Sequence, residues 1–199
     1  MKKKCCAYLR RCWNYDEGGF AGAPGLQVHI ASNYAAILAI VNIGTEEAYS
    51  IVDVAKMKAC LLRLKNNSDK KYQIQDPANH WVFESKSTKE VFKQTKTSEV
   101  IGTLPGSISI HKNGEMDIRG CYCSLVVADI LNILDENPEF TNGIGDFIES
   151  CQTYEGGISC APFGEAHGGY TFCGLAAMLL LGEHKKLDLD RLLDWLVQR

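Results

Sequence analysis

The stretch EAHGGYTFCGLAAMLLLG, residues 165–182, places a histidine, a tyrosine and a cysteine at the start of an apolar segment. A helix that begins directly after His167 carries Tyr170 and Gly174 on one face with the histidine. Cys173 lies at the edge of that face. An imidazole can donate to an anion, and glycine lets a ligand or a second helix approach closely. The pattern predicts either a binding surface or a capped core helix whose histidine makes a loop hydrogen bond.

A second segment, DIRGCYCSLVVADILNIL, repeats this arrangement with different chemistry. Arg119, Tyr122 and Val126 share a helix face at spacings of three and seven. A guanidinium binds oxygen anions and an aromatic ring packs on hydrocarbon, which suits an anionic ligand with an apolar tail. Tyr34 lies near the start of a third apolar segment. The three aromatic helix starts indicate a lined pocket, and the alternative is an exposed arginine beside half-buried tyrosines.

The elements that carry these residues belong to an internal repeat. Residues 18–44 and 156–182 align without a gap, and a more divergent copy spans 106–134. The first two copies share Gly18/Gly156, Gly19/Gly157, Ala23/Ala161, Pro24/Pro162, His29/His167, Ala39/Ala177 and Gly44/Gly182. Each copy reads as a glycine turn, a loop with proline and an apolar helix that glycine ends. The alignment also pairs Cys123 with Cys173.

A period near 50 residues with two helices per unit predicts an all-α helical repeat array. Asp117 and Asp188 stand where helix N-caps belong. The first interval is longer than the second because it contains an additional segment, residues 66–103. This segment is polar, rich in Lys, Ser and Thr, and without helical periodicity. We interpret the chain as a single domain, 1–199, with 66–103 as an inserted loop or as retained non-coding sequence.

Composition excludes several classes of function. The net charge is −3, so no overall basic field attracts nucleic acid or a membrane surface. The longest apolar run, LAAMLLLG, is too short to span a bilayer, and no apolar region follows MKKKCC as in an export signal. We therefore expect a cytoplasmic protein whose nine cysteines are reduced. Their spacing matches no zinc motif.

Four strings, EAHGGYTFCGLAA, DIRGCYC, CQTYEGG and IGTEEAYSIV, resemble the protein prenyltransferase β subunits, and their farnesyltransferase members in particular. The similarity covers the chain except the insert. The type I geranylgeranyltransferase members are also similar. They tend to have a small residue where this sequence has Tyr170, and a longer isoprenoid needs that room. The resemblance therefore favours the farnesyl members.

The resemblance implies an α–α barrel of prenyltransferase repeats, about half of it present, that pairs with an α subunit. The reaction it implies moves a farnesyl group from farnesyl diphosphate to the cysteine of a C-terminal CaaX motif in a substrate protein. By the same resemblance, His167 is the catalytic donor to the diphosphate and Arg119 lies on the pocket wall. The implied isoprenoid contacts are Tyr34, Tyr122, Tyr170 and Cys173.

The resemblance also implies a catalytic Zn²⁺ held by Asp, Cys and His, with Mg²⁺ as a possible second ion. No Asp-x-Cys motif occurs in the sequence, so we expect no metal ligands here and no activity of the chain alone. Two alternatives remain: a non-catalytic helical-repeat binding protein or pseudo-subunit, and a type I geranylgeranyltransferase β subunit.

Overall fold

The computed structural model describes residues 1–66, 72–75, 93–94, 99–102, 104–134 and 137–199. Within these ranges the α-helices are α1 (Lys2–Cys12), α2 (Ile30–Ile43), α3 (Glu46–Tyr49), α4 (Val54–Leu64), α5 (Ile118–Ile130), α6 (Pro138–Thr141), α7 (Ile144–Ser150), α8 (Gly168–Leu180) and α9 (Leu189–Val197). The strands are short: β1 (Trp13–Asn14), β2 (Gly19–Phe20), β3 (Tyr72–Gln75), β4 (Lys93–Gln94) and β5 (Glu99–Gly102). Strand β1 pairs antiparallel with β2, and the other three form an antiparallel sheet in the order β3-β5-β4.

The predicted repeat organises the helices. Helices α2, α5 and α8 are its equivalent central helices, and α5 packs against both of the others. Each central helix follows a glycine turn at Gly18, Gly106 or Gly156, with φ of 71°, 82° and 108°. A Cβ at these glycines would run into the backbone of α4, of the α7 N-cap and of α9, respectively. Glycine is therefore required twice over, for the left-handed conformation and for the close approach.

Equivalent hydrogen bonds join one unit to the next. The first residue of α2, Ile30, donates its N–H to the carbonyl of Ile110 at 2.8 Å. The first residue of α5, Ile118, donates in the same way to Cys160 at 3.0 Å. These N–H groups have no partner within their own helices, so the neighbouring unit satisfies them. The bonds hold the starts of successive central helices side by side.

The core lies beneath the central helices. Phe20, Ile108 and Ile158 occupy the same position in the three units, and all are fully buried. The N–H of Ile158 donates to Thr171 Oγ1 on α8 at 2.9 Å, and that of Phe20 donates to a side-chain oxygen on α2 at 2.5 Å. Buried backbone donors are thus paired where the chain passes under α2 and α8.

Helices α3 and α4 are separate, because Asp53 caps α4 by accepting from the N–H of Lys56 at 3.0 Å. Most of the interpreted insert, 66–103, lies outside the described residues. Its described parts are Asn66, which is buried, and strands β3, β4 and β5. Within the described ranges, no helix combines the length and the apolar character that crossing a membrane requires.

Candidate functional site

The three central helices begin with a side-chain cap at the same repeat position. His29 caps α2 and His167 caps α8, each accepting through Nδ1 the N–H of the residue two positions later, at 3.1 Å and 3.0 Å. Asp117 caps α5, accepting the N–H groups of Arg119 at 2.8 Å and Gly120 at 3.3 Å. The caps expected at Asp117 and Asp188 are both confirmed.

Five side chains gather where α5 and α8 begin, and we call them the polar cluster: Glu115, Asp117, Arg119, His167 and Tyr170. Asp117 Oδ2 accepts from Arg119 Nε at 3.0 Å and from Nη2 at 2.5 Å. Glu115 lies 3.7 Å from the same guanidinium. The Arg119 Cζ atom lies 5.9 Å from the centre of the Tyr170 ring, and the His167 ring lies 5.2 Å from it. The structure therefore brings together three of the predicted site residues.

His167 is held in one tautomer. Its Nδ1 accepts the N–H of Gly169, so in the neutral ring the proton resides on Nε2. The side chain is exposed, which leaves that proton available to a ligand. The N-terminus of α8 adds a partial positive charge at the same point. This arrangement is suited to donating to an anion.

A row of aromatic rings crosses the three central helices five residues after the caps. We call Tyr34, Tyr122 and Phe172 the aromatic row. The Tyr34 and Tyr122 ring centres are 5.7 Å apart, and those of Tyr122 and Phe172 are 5.4 Å apart. Because the helix starts lie side by side and the rings at the same offset from the caps are neighbours, the three helices run in the same direction. The row therefore lies further along the helices than the polar cluster does, at the same level on each helix.

The aromatic row corrects the sequence interpretation of Tyr170. That residue was grouped with Tyr34 and Tyr122 as the third equivalent aromatic, but the equivalent position on α8 is Phe172. Tyr170 lies two residues earlier and belongs to the polar cluster. The repeat alignment already carried the signal, because it pairs Phe172 with both Tyr34 and Tyr122. Phe172 is 62% exposed, which makes its ring available to a ligand.

The cysteines beside the row are thiols rather than thiolates. Cys123 and Cys173 share the next repeat position and are both half-buried. Burial raises the pKa of Cys123 to about 12 and also raises the pKa of Cys173. A protonated, half-buried thiol behaves as a small apolar group, so these side chains suit contact with hydrocarbon rather than nucleophilic attack. All nine cysteines are described, and all are free.

Across the described parts of the chain, no group of three or more His, Cys, Asp and Glu side chains is placed to hold a metal ion. The rings of His29 and His111 lie 5.6 Å apart, centre to centre, beside a cavity of about 740 Å³. Two imidazoles fall short of the ligand number of a structural or catalytic zinc site. The described residues therefore do not fit a zinc site.

The arrangement can hold an amphiphile. Helix N-termini, an exposed Nε2–H and a guanidinium lie at one level, and three rings with two apolar thiols lie about one turn along the helices. A ligand with an anionic head and a hydrocarbon tail matches both levels. The predicted residues thus fall on these two levels, with His167, Arg119 and Tyr170 at the polar level and Tyr34, Tyr122 and Cys173 at the level of the rings.

Comparison with known proteins agrees with this architecture. A chain from Arabidopsis thaliana named protein farnesyltransferase subunit beta is 41% identical over 199 residues, covering 100% of this chain and 33% of the relative. The protein of the same name from Pisum sativum is 39% identical over 192 residues, covering 96% of this chain and 36% of the relative. The chain thus spans about a third of the length of the curated relatives it matches.

The fold has a solved counterpart. The Candida albicans protein geranylgeranyltransferase-I complexed with GGPP superposes with a TM-score of 0.64 at 16% identity, covering 100% of this chain and 51% of that chain. A family model, the prenyltransferase alpha-alpha toroid domain, matches residues 1–199. The predicted all-α repeat fold is therefore confirmed, and the chain belongs to the prenyltransferase α–α toroid family.

Proposed function

We propose that this chain forms part of a protein farnesyltransferase β subunit and that its polar cluster and aromatic row bind farnesyl diphosphate. The observation that carries the proposal is the two-level surface: anion donors at the starts of α5 and α8, and a row of rings that crosses the three central helices about one turn further along. The names of the relatives support the farnesyl member of the family. The diphosphate lies at the polar cluster and the isoprenoid lies along the row.

His167 acts on the leaving group in this proposal. As the bond between C1 of the farnesyl group and the diphosphate oxygen breaks, negative charge accumulates on the diphosphate. The Nε2–H of His167 donates to that oxygen, and the Gly169 N–H holds the ring in place through Nδ1. Donors fixed before the reaction stabilise developing charge most effectively. The faces of Tyr122 and Phe172 suit the positive charge that spreads over the allylic carbons.

In the proposed reaction the nucleophile is the thiol of the cysteine in the substrate protein's C-terminal CaaX motif. Its sulfur bonds to C1 as the diphosphate leaves, and its proton passes to solvent. Burial keeps Cys123 and Cys173 protonated, so they line the tail and do not compete. Zinc, which the resemblance implies as the activator of the thiol, finds no three-ligand group among the described residues. No step of this proposal passes through zinc or Mg²⁺. A prenyltransferase α subunit is the proposed partner, because the relatives are named as β subunits. A cytoplasmic location is proposed from the sequence expectation alone.

We propose that the end of the aromatic row limits the length of the isoprenoid that can bind. Tyr170 lies beside His167 and Arg119, at the level of the head, where an added isoprene unit does not reach. Tyr34 is the row's most distant ring from α8. A farnesyl chain that starts at α8 therefore ends near α2, and Tyr34 limits a longer chain.

The test measures ligand binding by the chain co-expressed with a prenyltransferase α subunit. It distinguishes contacts to the diphosphate head from contacts to the isoprenoid tail. Farnesyl diphosphate, inorganic diphosphate, farnesol and geranylgeranyl diphosphate are titrated by calorimetry. We expect farnesyl diphosphate to bind with a Kd below about 10 μM, near −7 kcal/mol. His167→Ala weakens binding of all three diphosphates by about tenfold or more and leaves farnesol binding unchanged. Tyr122→Ala weakens farnesol and farnesyl diphosphate and leaves inorganic diphosphate unchanged.

Transfer of the farnesyl group to a fluorescent CaaX peptide is followed in the same complex. Absence of farnesyl diphosphate binding by the folded complex contradicts the proposal and favours a non-catalytic repeat protein. Tighter binding of geranylgeranyl than of farnesyl diphosphate favours the type I geranylgeranyltransferase instead. Equal affinities of His167→Ala and the parent protein contradict the role of His167.

A further inference from the structure

Asp117 is the exception among the three central helix caps. At the same repeat position α2 and α8 begin with His29 and His167, each of which satisfies a single backbone N–H. Capping at this position therefore does not require a carboxylate. An aspartate adds a second acceptor oxygen and a negative charge, and its side chain is only 7% exposed. A buried charge that capping does not need calls for another role.

The two oxygens of Asp117 do different work. Oδ1 accepts the N–H groups of Arg119 and Gly120, which is the cap. Oδ2 accepts from the Arg119 side chain, through Nε at 3.0 Å and Nη2 at 2.5 Å. This two-point contact fixes the plane of the guanidinium as well as its place. The hydrogen bond also raises the pKa of Arg119, so the group stays charged.

The residue two positions after each cap changes together with the cap. It is Ala31 on α2, Gly169 on α8 and Arg119 on α5, so the arginine occurs in the unit whose cap has an oxygen to spare. Arg119 then reaches across to the next helix, where its Cζ lies 5.9 Å from the centre of the Tyr170 ring. Among the described residues, Nη1 of Arg119 has no hydrogen-bond partner, and half of the side chain is exposed.

We infer that Asp117 is a positioning residue for ligand binding, which acts by holding the Arg119 guanidinium against Tyr170 with its Nη1 edge free for a ligand oxygen. The inference rests on the proposed function, because it concerns the same site. Glu115, 3.7 Å from Nη2, is 60% exposed and contributes less to holding the group. The carboxylate also offsets the charge of the arginine, so Arg119 supplies a directed donor rather than a bare cation.

Substitution by asparagine separates the two roles. Asn caps helices about as well as Asp, so Asp117→Asn keeps the Oδ1 cap. Its amide nitrogen is a donor and faces the donors of the guanidinium. Because two donors do not form a hydrogen bond, the Arg119 side chain is released. The matched control is Asp188→Asn, because Asp188 also caps a helix and pairs with an arginine on it, at 3.6 Å, outside the site. Asp117→Ala removes both roles.

The experiment measures the Kd of farnesyl diphosphate, and the KM and kcat for a CaaX peptide, in the complex with the α subunit. We expect Asp117→Asn to lower the affinity for at least one ligand by about fivefold or more, with kcat and the melting temperature little changed. A melting shift below about 3 °C marks an intact cap. Arg119→Ala weakens the same ligand, and adding Asp117→Asn to it causes no further loss.

The outcomes distinguish the inference from the proposed function. If the parent complex binds farnesyl diphosphate but Asp117→Asn binds both ligands like the parent, the positioning role is wrong and the proposed function stands. Losses that multiply in the double variant also contradict the role, because Asp117 then does not act through Arg119. A parent complex that binds neither ligand contradicts the proposed function, and the positioning role fails with it.

Discussion

The starts of α2 and α8 share one backbone and differ in chemistry. His29 and His167 have nearly the same conformation, with φ of −139° and −141° and ψ of 136° and 139°. Yet His29 faces His111 beside an apolar cavity, whereas His167 is exposed and its ring lies 5.2 Å from that of Tyr170. The repeat therefore fixes where a cap stands, and the residues that follow it decide what the cap can bind.

The largest expected effect concerns the position three residues after the caps, which is Ser32 on α2, Gly120 on α5 and Tyr170 on α8. A Cβ at Gly120 would run into the carbonyl oxygen of Ile108, although the other units accept side chains here. We expect Gly120→Ala to lower the free energy of unfolding by about 3 kcal/mol despite its better helix propensity. Urea unfolding measures this, with Ser32→Ala as the control within about 0.5 kcal/mol. Equal stabilities of the two variants contradict the closer packing of α5.

The next effect compares the two histidines directly. His29→Ala and His167→Ala each remove a cap, and we expect each to cost about 1 kcal/mol of stability. Loss of His167 alone also lowers the affinity for farnesyl diphosphate, by about 2 kcal/mol, because a hydrogen bond to a charged group disappears. Calorimetry on both variants measures the difference. A similar loss of affinity in His29→Ala contradicts the assignment of the head to α8.

A smaller effect locates the length limit on the isoprenoid. Replacing Tyr34 by Thr opens the end of the aromatic row, and we expect the preference for farnesyl over geranylgeranyl diphosphate to fall about tenfold. Tyr170→Thr, at the level of the head, leaves that preference within about threefold. Competition binding with both diphosphates measures the ratio. The opposite ranking supports the sequence-based interpretation of Tyr170 as the residue that limits chain length.

The smallest effect is the pH dependence of stability at His29. Burial, and then the charge of His111, lower the pKa of His29 below its ordinary 6.5. Between the lowered pKa and about 6.5, the unfolded chain binds more protons than the native one, so stability falls as pH falls through this range. Solvent screening of the half-buried ring keeps the contribution below about 1 kcal/mol. His29→Asn keeps a capping oxygen and does not titrate, so the difference in stability between pH 7.5 and pH 5.5 shrinks in that variant. An unchanged difference contradicts this role of His29.

Local rules sufficed to predict the framework from the sequence. Repeat spacing gave the central helices, glycine gave the turns at Gly18, Gly106 and Gly156, and aspartate gave the caps of α5 and α9. These features depend on a few neighbouring residues, which a single sequence displays. The short helix α3 and the β3-β5-β4 sheet were not anticipated, because tertiary pairing decides such short elements.

Sequence reasoning named several residues of the candidate site but not their arrangement. His167 and Arg119 attract attention by type, and Tyr34 and Tyr122 by position. Phe172 was missed, because an apolar side chain in an apolar segment is assigned to the hydrophobic core until its exposure is known. The contact between Asp117 Oδ2 and the Arg119 guanidinium was missed as well, since the sequence does not show the direction in which the Arg119 side chain points.

The most direct test of the central claim is to map where the isoprenoid lies. A farnesyl diphosphate analogue with a benzophenone near its tail is cross-linked to the complex under light, and the labelled peptides are identified by mass spectrometry. We expect labels on α2 and α5, around Tyr34 and Tyr122, that excess farnesyl diphosphate abolishes and that His167→Ala reduces. Labelling confined to other segments, or labelling that farnesyl diphosphate does not compete, contradicts a site with its head at α8 and its tail along the aromatic row.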